Sequence, residues 1–181
     1  CIQKPYTSDI YEYYMDFYNR LLDENSEASD SLNFNDTVRY KTPKGKIVYG
    51  GGGIMPDIYI PNKSEFVSAY YRKILSKGTL LSDFAFDYAD KNRKKLKQYQ
   101  NANNFVNLFQ ISDNILNEFV AYAETKGIAR DKEGIKLAGL RLKVLLKANI
   151  GRNIFDDPAF YPVYLTDDIT FKKALDVMNL K

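Results

Sequence analysis

Four consecutive glycines, Gly50–Gly53, sit at the centre of residues 40–61, YKTPKGKIVYGGGGIMPDIYIP. Nothing else in the chain constrains the backbone as strongly. A glycine run implies dihedral angles closed to other residues, or very close chain approach. Two short β-prone runs, VRYKT and KIVYG, precede it within residues 37–49. They join at Pro43-Lys44-Gly45, a hairpin signal with a Pro/Gly turn. Ile58, Tyr59 and Ile60 read as a third short strand ended by Pro61. The glycine run does not fit a phosphate loop. Walker and dinucleotide loops open directly into a helix. Here Ile54-Met55-Pro56-Asp57 follows, and Pro56 forbids immediate helix continuation. Gly50, Gly51, Gly52, Gly53, Ile54, Pro56 and Asp57 are therefore read as one structural turn motif.

The rest of the chain is helical in pattern. After an extended lead-in over residues 1–8, Asp9 and Glu12 form a capping box for a helix over 9–23. Ile10, Tyr14, Phe17 and Leu21 share its apolar face. Residues 24–36, ENSEASDSLNFND, read as a polar surface loop. Asn62 and Glu65 cap a helix carrying Phe66, Val67, Tyr70, Tyr71, Ile74 and Leu75, which Gly78 stops. Thr79 starts another, with Leu81, Phe84, Ala85 and Tyr88 inward, running on through Leu96. Residues 100–104, QNANN, read as a break. Ser112 or Asp113 opens a helix with Ile115, Leu116, Phe119, Val120 and Ala123 inward, ending near Gly127.

Residues 133–154 are apolar nearly all round, through Leu137, Leu140, Leu142, Val144, Leu145, Leu146 and Ile150. Such a helix is expected at the buried centre of a bundle. Pro158 and Pro162 bracket a turn. Asp167 or Asp168 opens a last helix with Phe171, Ala174, Leu175 and Met178 on one face. The fold class expected is mainly α, a helical bundle with a small β-hairpin or strand segment around residues 37–60. The chain divides into a lead-in, arm and loop (1–36), a β segment (37–61) and a helical domain (62–181).

The residue inventory excludes much chemistry. The 181 residues contain one cysteine and no histidine. That rules out a disulfide framework, histidine-based nucleophile systems and an ordinary zinc site. No metal or cofactor is expected. A serine–lysine dyad remains compositionally allowed. Ser68 and Lys94 stand at a tempting spacing, with Gln98 four residues beyond. Ser68 lies within an amphipathic pattern beside Val67 and Ala69, and Lys94 lies inside a solvated basic run that leaves its pKa unlowered. We read that spacing as coincidence.

The basic run Lys91, Arg93, Lys94, Lys95 and Lys97 reads as a solvated helix end favoured by the dipole. With a net charge of +3, nucleic acid is not expected as a partner. The 15 tyrosines suit half-buried surfaces, with the ring packed and the hydroxyl wet. Cys1 has two readings, a lipid-bearing residue of a lipoprotein or an internal cysteine at a boundary. The second is preferred, because Ile2–Tyr6 runs almost straight into a helix.

Three stretches carry a resemblance: CIQKPY at 1–6, YKTPKGKIVYGGGGIMPDIYIP at 40–61 and LLKANIGRNIFDDPAFYPVYLTDD at 145–168. Together they resemble the C-terminal part of carboxyl-terminal processing peptidases, the tail-specific serine proteases of the bacterial envelope. The Val48–Asp57 motif is the most specific part of the likeness, and the helical region is much less so. The resemblance implies proteolysis by a serine–lysine dyad assisted by a glutamine. In the family those residues, and a PDZ-type domain, precede the region resembled. No catalytic residue is carried over to this chain, which is expected to be inactive alone.

Its implied work is to complete the catalytic domain's sheet with Ile47–Tyr49 and Ile58–Ile60, and to add a helical scaffold or interaction domain. Implied partners are the upstream catalytic and PDZ-type domains of the same polypeptide, and protein substrates. The implied location is the periplasm or cell envelope. An isolated fragment is expected to expose an apolar patch and to self-associate. The competing reading is an autonomous helical envelope lipoprotein anchored at Cys1, a binding module.

Overall fold

The computed structural model describes residues 10–12, 14–15, 39–49, 58, 60 and 68–179. The chain divides into two compact units, Cys1–Asn62 and Lys63–Lys181. It is mainly helical with a small two-stranded antiparallel sheet, as the sequence pattern leads one to expect.

In the first unit, residues 10–12 and 14–15 are helical (α1), within the helix expected over 9–23. Strands β1 (Arg39–Lys41) and β2 (Ile47–Tyr49) pair antiparallel, with Tyr40 opposite Val48. Gly45 closes the turn at φ +84°, a conformation that L side chains rarely adopt. Thr42 and Lys46 clamp it: the Lys46 N–H donates to Thr42 Oγ1 at 3.0 Å and the Thr42 N–H to the Lys46 carbonyl at 2.8 Å. The third strand expected at Ile58–Ile60 does not form at its described residues. Ile58 lies in a bend and Ile60 in irregular chain, since the sheet ladder ends with β2.

The second unit holds α2 (Ala69–Ser76), α3 (Leu80–Lys91), α4 (Arg93–Leu96), a 3-10 turn (Lys97–Tyr99) and α5 (Ala102–Leu108). Then follow α6 (Asp113–Thr125), α7 (Lys132–Phe155), α8 (Asp157–Tyr164), a second 3-10 turn (Leu165–Asp167) and α9 (Ile169–Asn179). Polar caps set most starts. Asn101, Ser112, Asp131 and Asp168 accept from the N–H of Asn104, Ile115, Gly134 and Phe171. Gly78 and Gly127 lie just past α2 and α6 with positive φ, as helix stops require.

Helix α7 organises the unit, packing mainly on α8 and α3 and also on α2, α5 and α6. Its Ala138, Leu142, Leu146, Ala148 and Ile150 are fully buried. They meet Tyr70, Ile74, Phe84, Phe105 and Phe119 from neighbouring helices. Gly151 permits a close approach: a Cβ there would lie 2.7 Å from the Phe105 ring and 3.1 Å from Ala159 Cβ. One face of α7 is nevertheless open, because Leu137 and Leu140 are 59% and 71% exposed. The helix lies at the centre of the unit as its apolar pattern leads one to expect, but Leu137 and Leu140 of that pattern face outward.

Four further expectations change. The helix placed from residue 62 begins at Ala69, because Ser68 is extended (φ −83°, ψ 160°) and caps it. Thr79 is the N-cap of α3 but makes no side-chain cap bond, and the helix expected to run on through Leu96 breaks at Asn92. The break at 100–104 narrows to Gln100 and Asn101, since Asn101 caps α5 directly. Pro158 and Pro162 do not bracket a turn but lie in α8. Pro158 takes the first turn, where an N–H would be unpaired anyway. Pro162 forgoes one helix bond, while Ala159 and Val163 on either side of it stay buried. Finally, the apolar face of α9 forms as expected but none of its residues is buried.

Asp156, the single residue between α7 and α8, sits at φ 57°, ψ −156°, a region that only glycine occupies easily. Its side chain makes no cap bond. Asp156→Gly is therefore expected to raise stability by about 1 kcal/mol. Gly151→Ala, which drives a methyl into Phe105, is expected to lower it by about 1–3 kcal/mol. Urea unfolding of the two variants against the parent chain checks both signs, and a stabilised Gly151→Ala would contradict the close packing described.

Candidate functional site

The expected motif Gly50, Gly51, Gly52, Gly53, Ile54, Pro56 and Asp57 lies outside the described residues. Ser68, by contrast, is well placed. Its hydroxyl accepts from the Tyr71 N–H at 3.1 Å and donates to the Gly134 carbonyl at 3.1 Å, in a buried position. The first bond caps α2 and the second ties that cap to the start of α7, so this serine is structural. It stands at the helix cap rather than inside the helix, where the sequence pattern had put it. Lys94 is exposed on α4 and forms no contact with Ser68. The basic run lies mainly on exposed surface, with Arg93 half-buried and paired to Asp90 at 3.4 Å. Among the described residues no group of three or more histidine, cysteine, aspartate or glutamate side chains could hold a metal ion. No described helix is long and apolar enough to cross a membrane.

Among the described residues, an open groove of about 720 Å³ lies where α3, α4, the first 3-10 turn and α5 meet. It arises because the chain reverses sharply there. Asn92 ends α3, its Nδ2 donating to the Tyr88 carbonyl at 2.9 Å. Leu96 is buried and anchors α4. Gln100 then takes φ 69°, ψ −39°, while the Asn101 N–H donates across it to the Tyr99 carbonyl at 2.8 Å. That pattern is the rare, strained form of the γ-turn. The turn is held by aromatic packing beneath. Tyr99 stands edge-on to Phe105 (5.7 Å, 88°) and Phe109 (5.9 Å, 75°), and Phe105 stacks on Phe109 at 4.8 Å.

The lining combines rings and carboxamides. Tyr88 and Tyr99 are half-buried, and Asn92, Gln98, Gln100 and Asn104 present amides. The side chains of Gln98, Gln100 and Asn104 have no protein hydrogen-bond partner among the described residues. Lys95 is the charged residue among those lining the groove. Burial, the nearby Glu118 carboxylate and Tyr99 push the Tyr88 phenol above its ordinary pKa, which keeps it a neutral donor at physiological pH. Outside the groove, the Lys147 ammonium donates to the Val106 carbonyl at 2.7 Å, and partial burial lowers its pKa. It satisfies a carbonyl in the last turn of α5, which is a structural duty.

Sequence reasoning met Gln98 only as part of a coincidental serine–lysine spacing, and read 100–104 as a break. The available signal was the density of carboxamides across Asn92–Asn104 beside two tyrosines.

Residues 70–156 match the model of a family described as a family of unknown function, DUF8443. No curated protein and no solved structure matches the chain.

Among the described residues, one buried side-chain polar atom is unpaired. Tyr70 is 1% exposed, and its hydroxyl has no hydrogen-bond partner. Burial first, then the Glu124 carboxylate, raises its pKa above 10.0; Arg130 opposes this and Asp131 adds a lesser rise. A phenol whose folded pKa is raised contributes stability that is full below pH 10.0 and is lost as pH rises through the folded value. Tyr70→Phe removes both the orphaned hydroxyl and this loss. At pH 8 the variant is expected to match or exceed the parent, by about 1 kcal/mol, and its alkaline unfolding is expected to be shallower. Urea melts at pH 8 and above pH 10 measure both; a large loss at pH 8 would show that the hydroxyl has a partner.

Proposed function

We propose that this chain is the non-catalytic C-terminal region of a serine-type carboxyl-terminal processing protease, serving as a helical scaffold or interaction domain. The observation that carries this reading is the sequence Val48–Asp57, VYGGGGIMPD, issuing directly from strand β2 of the hairpin. A hairpin with three-residue strands is too small to be stable alone in water. Tyr40 and Ile47 are both exposed on it. Both features suit a strand pair that adds to a larger sheet, here that of an upstream catalytic domain. The second unit suits a scaffold. Its centre is an apolar core, and its buried Ser68 is spent on a helix cap.

On this reading the parent polypeptide cleaves proteins near their C-termini in the periplasm or envelope. Its dyad and PDZ-type domain lie upstream, and this chain supplies no catalytic group.

The test is to express the longest reading frame containing this chain beside the 181-residue chain, and to assay both on an unfolded protein substrate. Cleavage is expected from the longer polypeptide only, and is expected to vanish when a glycine-flanked upstream serine is changed to alanine. Cleavage by the isolated chain would overturn the reading. So would a diacylated Cys1 at the native N-terminus, which would make the chain an anchored lipoprotein module instead.

A further inference from the structure

The groove at the α3–α5 corner has a lining more specific than a surface crevice needs. Its volume lies within the ordinary range for small-ligand sites, about 300–1,000 Å³. Gln98, Gln100 and Asn104 offer side-chain amides with no protein partner. A carboxamide donates and accepts from one plane. It is thus matched to a group that does both, such as a hydroxyl or another amide. Tyr88 and Tyr99 offer rings, each carrying a hydroxyl. The rim residue Gln100 is held in a γ-turn that costs about 1–3 kcal/mol. Strain of that kind persists where surrounding structure over-determines it, and is concentrated at binding sites.

Charge narrows the ligand class. The residues lining the groove include no carboxylate. A free amino acid or a peptide amino terminus brings an ammonium that no lining residue would pair; Glu118 acts on Tyr88 but does not line the groove. Lys95 is exposed, and a lone surface ammonium is weak recognition for a phosphate or a nucleotide. A ligand that is neutral, rich in hydroxyls and apolar on one face meets every group present. A pyranose ring is such a ligand: its axial C–H face packs on an aromatic ring and its equatorial hydroxyls meet the carboxamides.

We propose that this groove binds a neutral saccharide one or two rings long, with Gln98, Gln100 and Asn104 bonding its hydroxyls and Tyr99 packing on its apolar face. The site lies wholly within the second unit. It stands or falls independently of whether the parent is a protease.

The experiment titrates the isotopically labelled 181-residue chain with cellobiose, with N,N′-diacetylchitobiose and with trialanine, following the side-chain amide resonances by NMR. At least one disaccharide is expected to shift the Gln98, Gln100 and Asn104 amides saturably, with a Kd of about 1 mM or tighter. Gln98→Ala and Asn104→Ala are expected each to weaken binding by about fivefold to tenfold while leaving the urea midpoint in place. Gln100→Gly relieves the strained turn. It is expected to raise the urea midpoint while weakening binding, a pair of opposite effects that a purely structural glutamine would not give. The proposal is overturned if neither disaccharide produces saturable shifts up to about 10 mM. It is also overturned if trialanine produces the same shifts at equal concentration, or if the substitutions leave disaccharide affinity unchanged.

Discussion

The contact between the Phe105 ring and the backbone of Gly151 holds the second unit in register. Phe105 is completely buried, and it also touches Tyr99, Phe109 and Phe155. Helix α5, which carries it, has seven residues, too few to be helical on propensity alone. It forms because Asn101 caps its start, Phe105 enters the core and Lys147 satisfies a carbonyl near its end. The last two of these are contacts with α7, where the absence of a side chain at position 151 leaves room for the Phe105 ring. From Phe105 the dependence runs outward to Tyr99, then to the γ-turn at Gln100, then to the groove. A single glycine in the longest helix thus positions a surface site that it does not touch.

Much of this helical architecture was legible in the sequence. Where a cap residue, an apolar stripe and a stop signal coincide, as in Ser112–Gly127, helix and boundaries follow from local chemistry alone. Where the deciding contact is distant, the pattern misleads. The start of α2 is fixed by Ser68 bonding to Gly134, far along the chain, so the capping box proposed at Asn62 carried no information about it. QNANN has the composition of a break, yet the second half of it is helical because Phe105 and Gly151 meet. The prolines of α8 look like turn residues until one sees that Pro158 falls at the helix start. Leu137 and Leu140 are apolar but exposed, because hydrophobicity states what a residue tolerates and not which neighbour arrives. The groove was the least legible feature. Its amides come from consecutive short elements with no shared periodicity, and only the reversal at Gln100 turns them toward one space.

Two ion pairs fasten the C-terminal end. Arg141 bonds Asp167 and lies over the Tyr164 ring at 5.1 Å, with both charged groups mostly buried. Arg152 lies 4.9 Å over the Phe160 ring and 3.0 Å from Asp157. A guanidinium that serves an aromatic face and a carboxylate at once loses little freedom per contact. These pairs hold α8 and the following turn against α7. Beyond that turn α9 buries none of its residues, so its position rests on the Asp168 cap and the turn itself. The core ends at Tyr164, and α9 is an appendage whose apolar stripe faces outward.

The strained residues sort by what holds them. Asp156 is held by α7 and α8 on either side, and its side chain does nothing that glycine could not do. Its strain follows from a one-residue link between two well-packed helices. Gln100 differs. Its neighbours Tyr99 and Asn101 are each fixed by independent contacts, an aromatic cluster and a helix cap, and the side chain between them is left without a protein partner. A turn residue under strain is ordinarily replaced by glycine or asparagine at no structural cost. A glutamine there keeps a long carboxamide at the rim of a groove already lined by three others. That combination, a fixed backbone beneath an unpaired polar side chain, is what a recognition site requires and what a mere connection between helices does not.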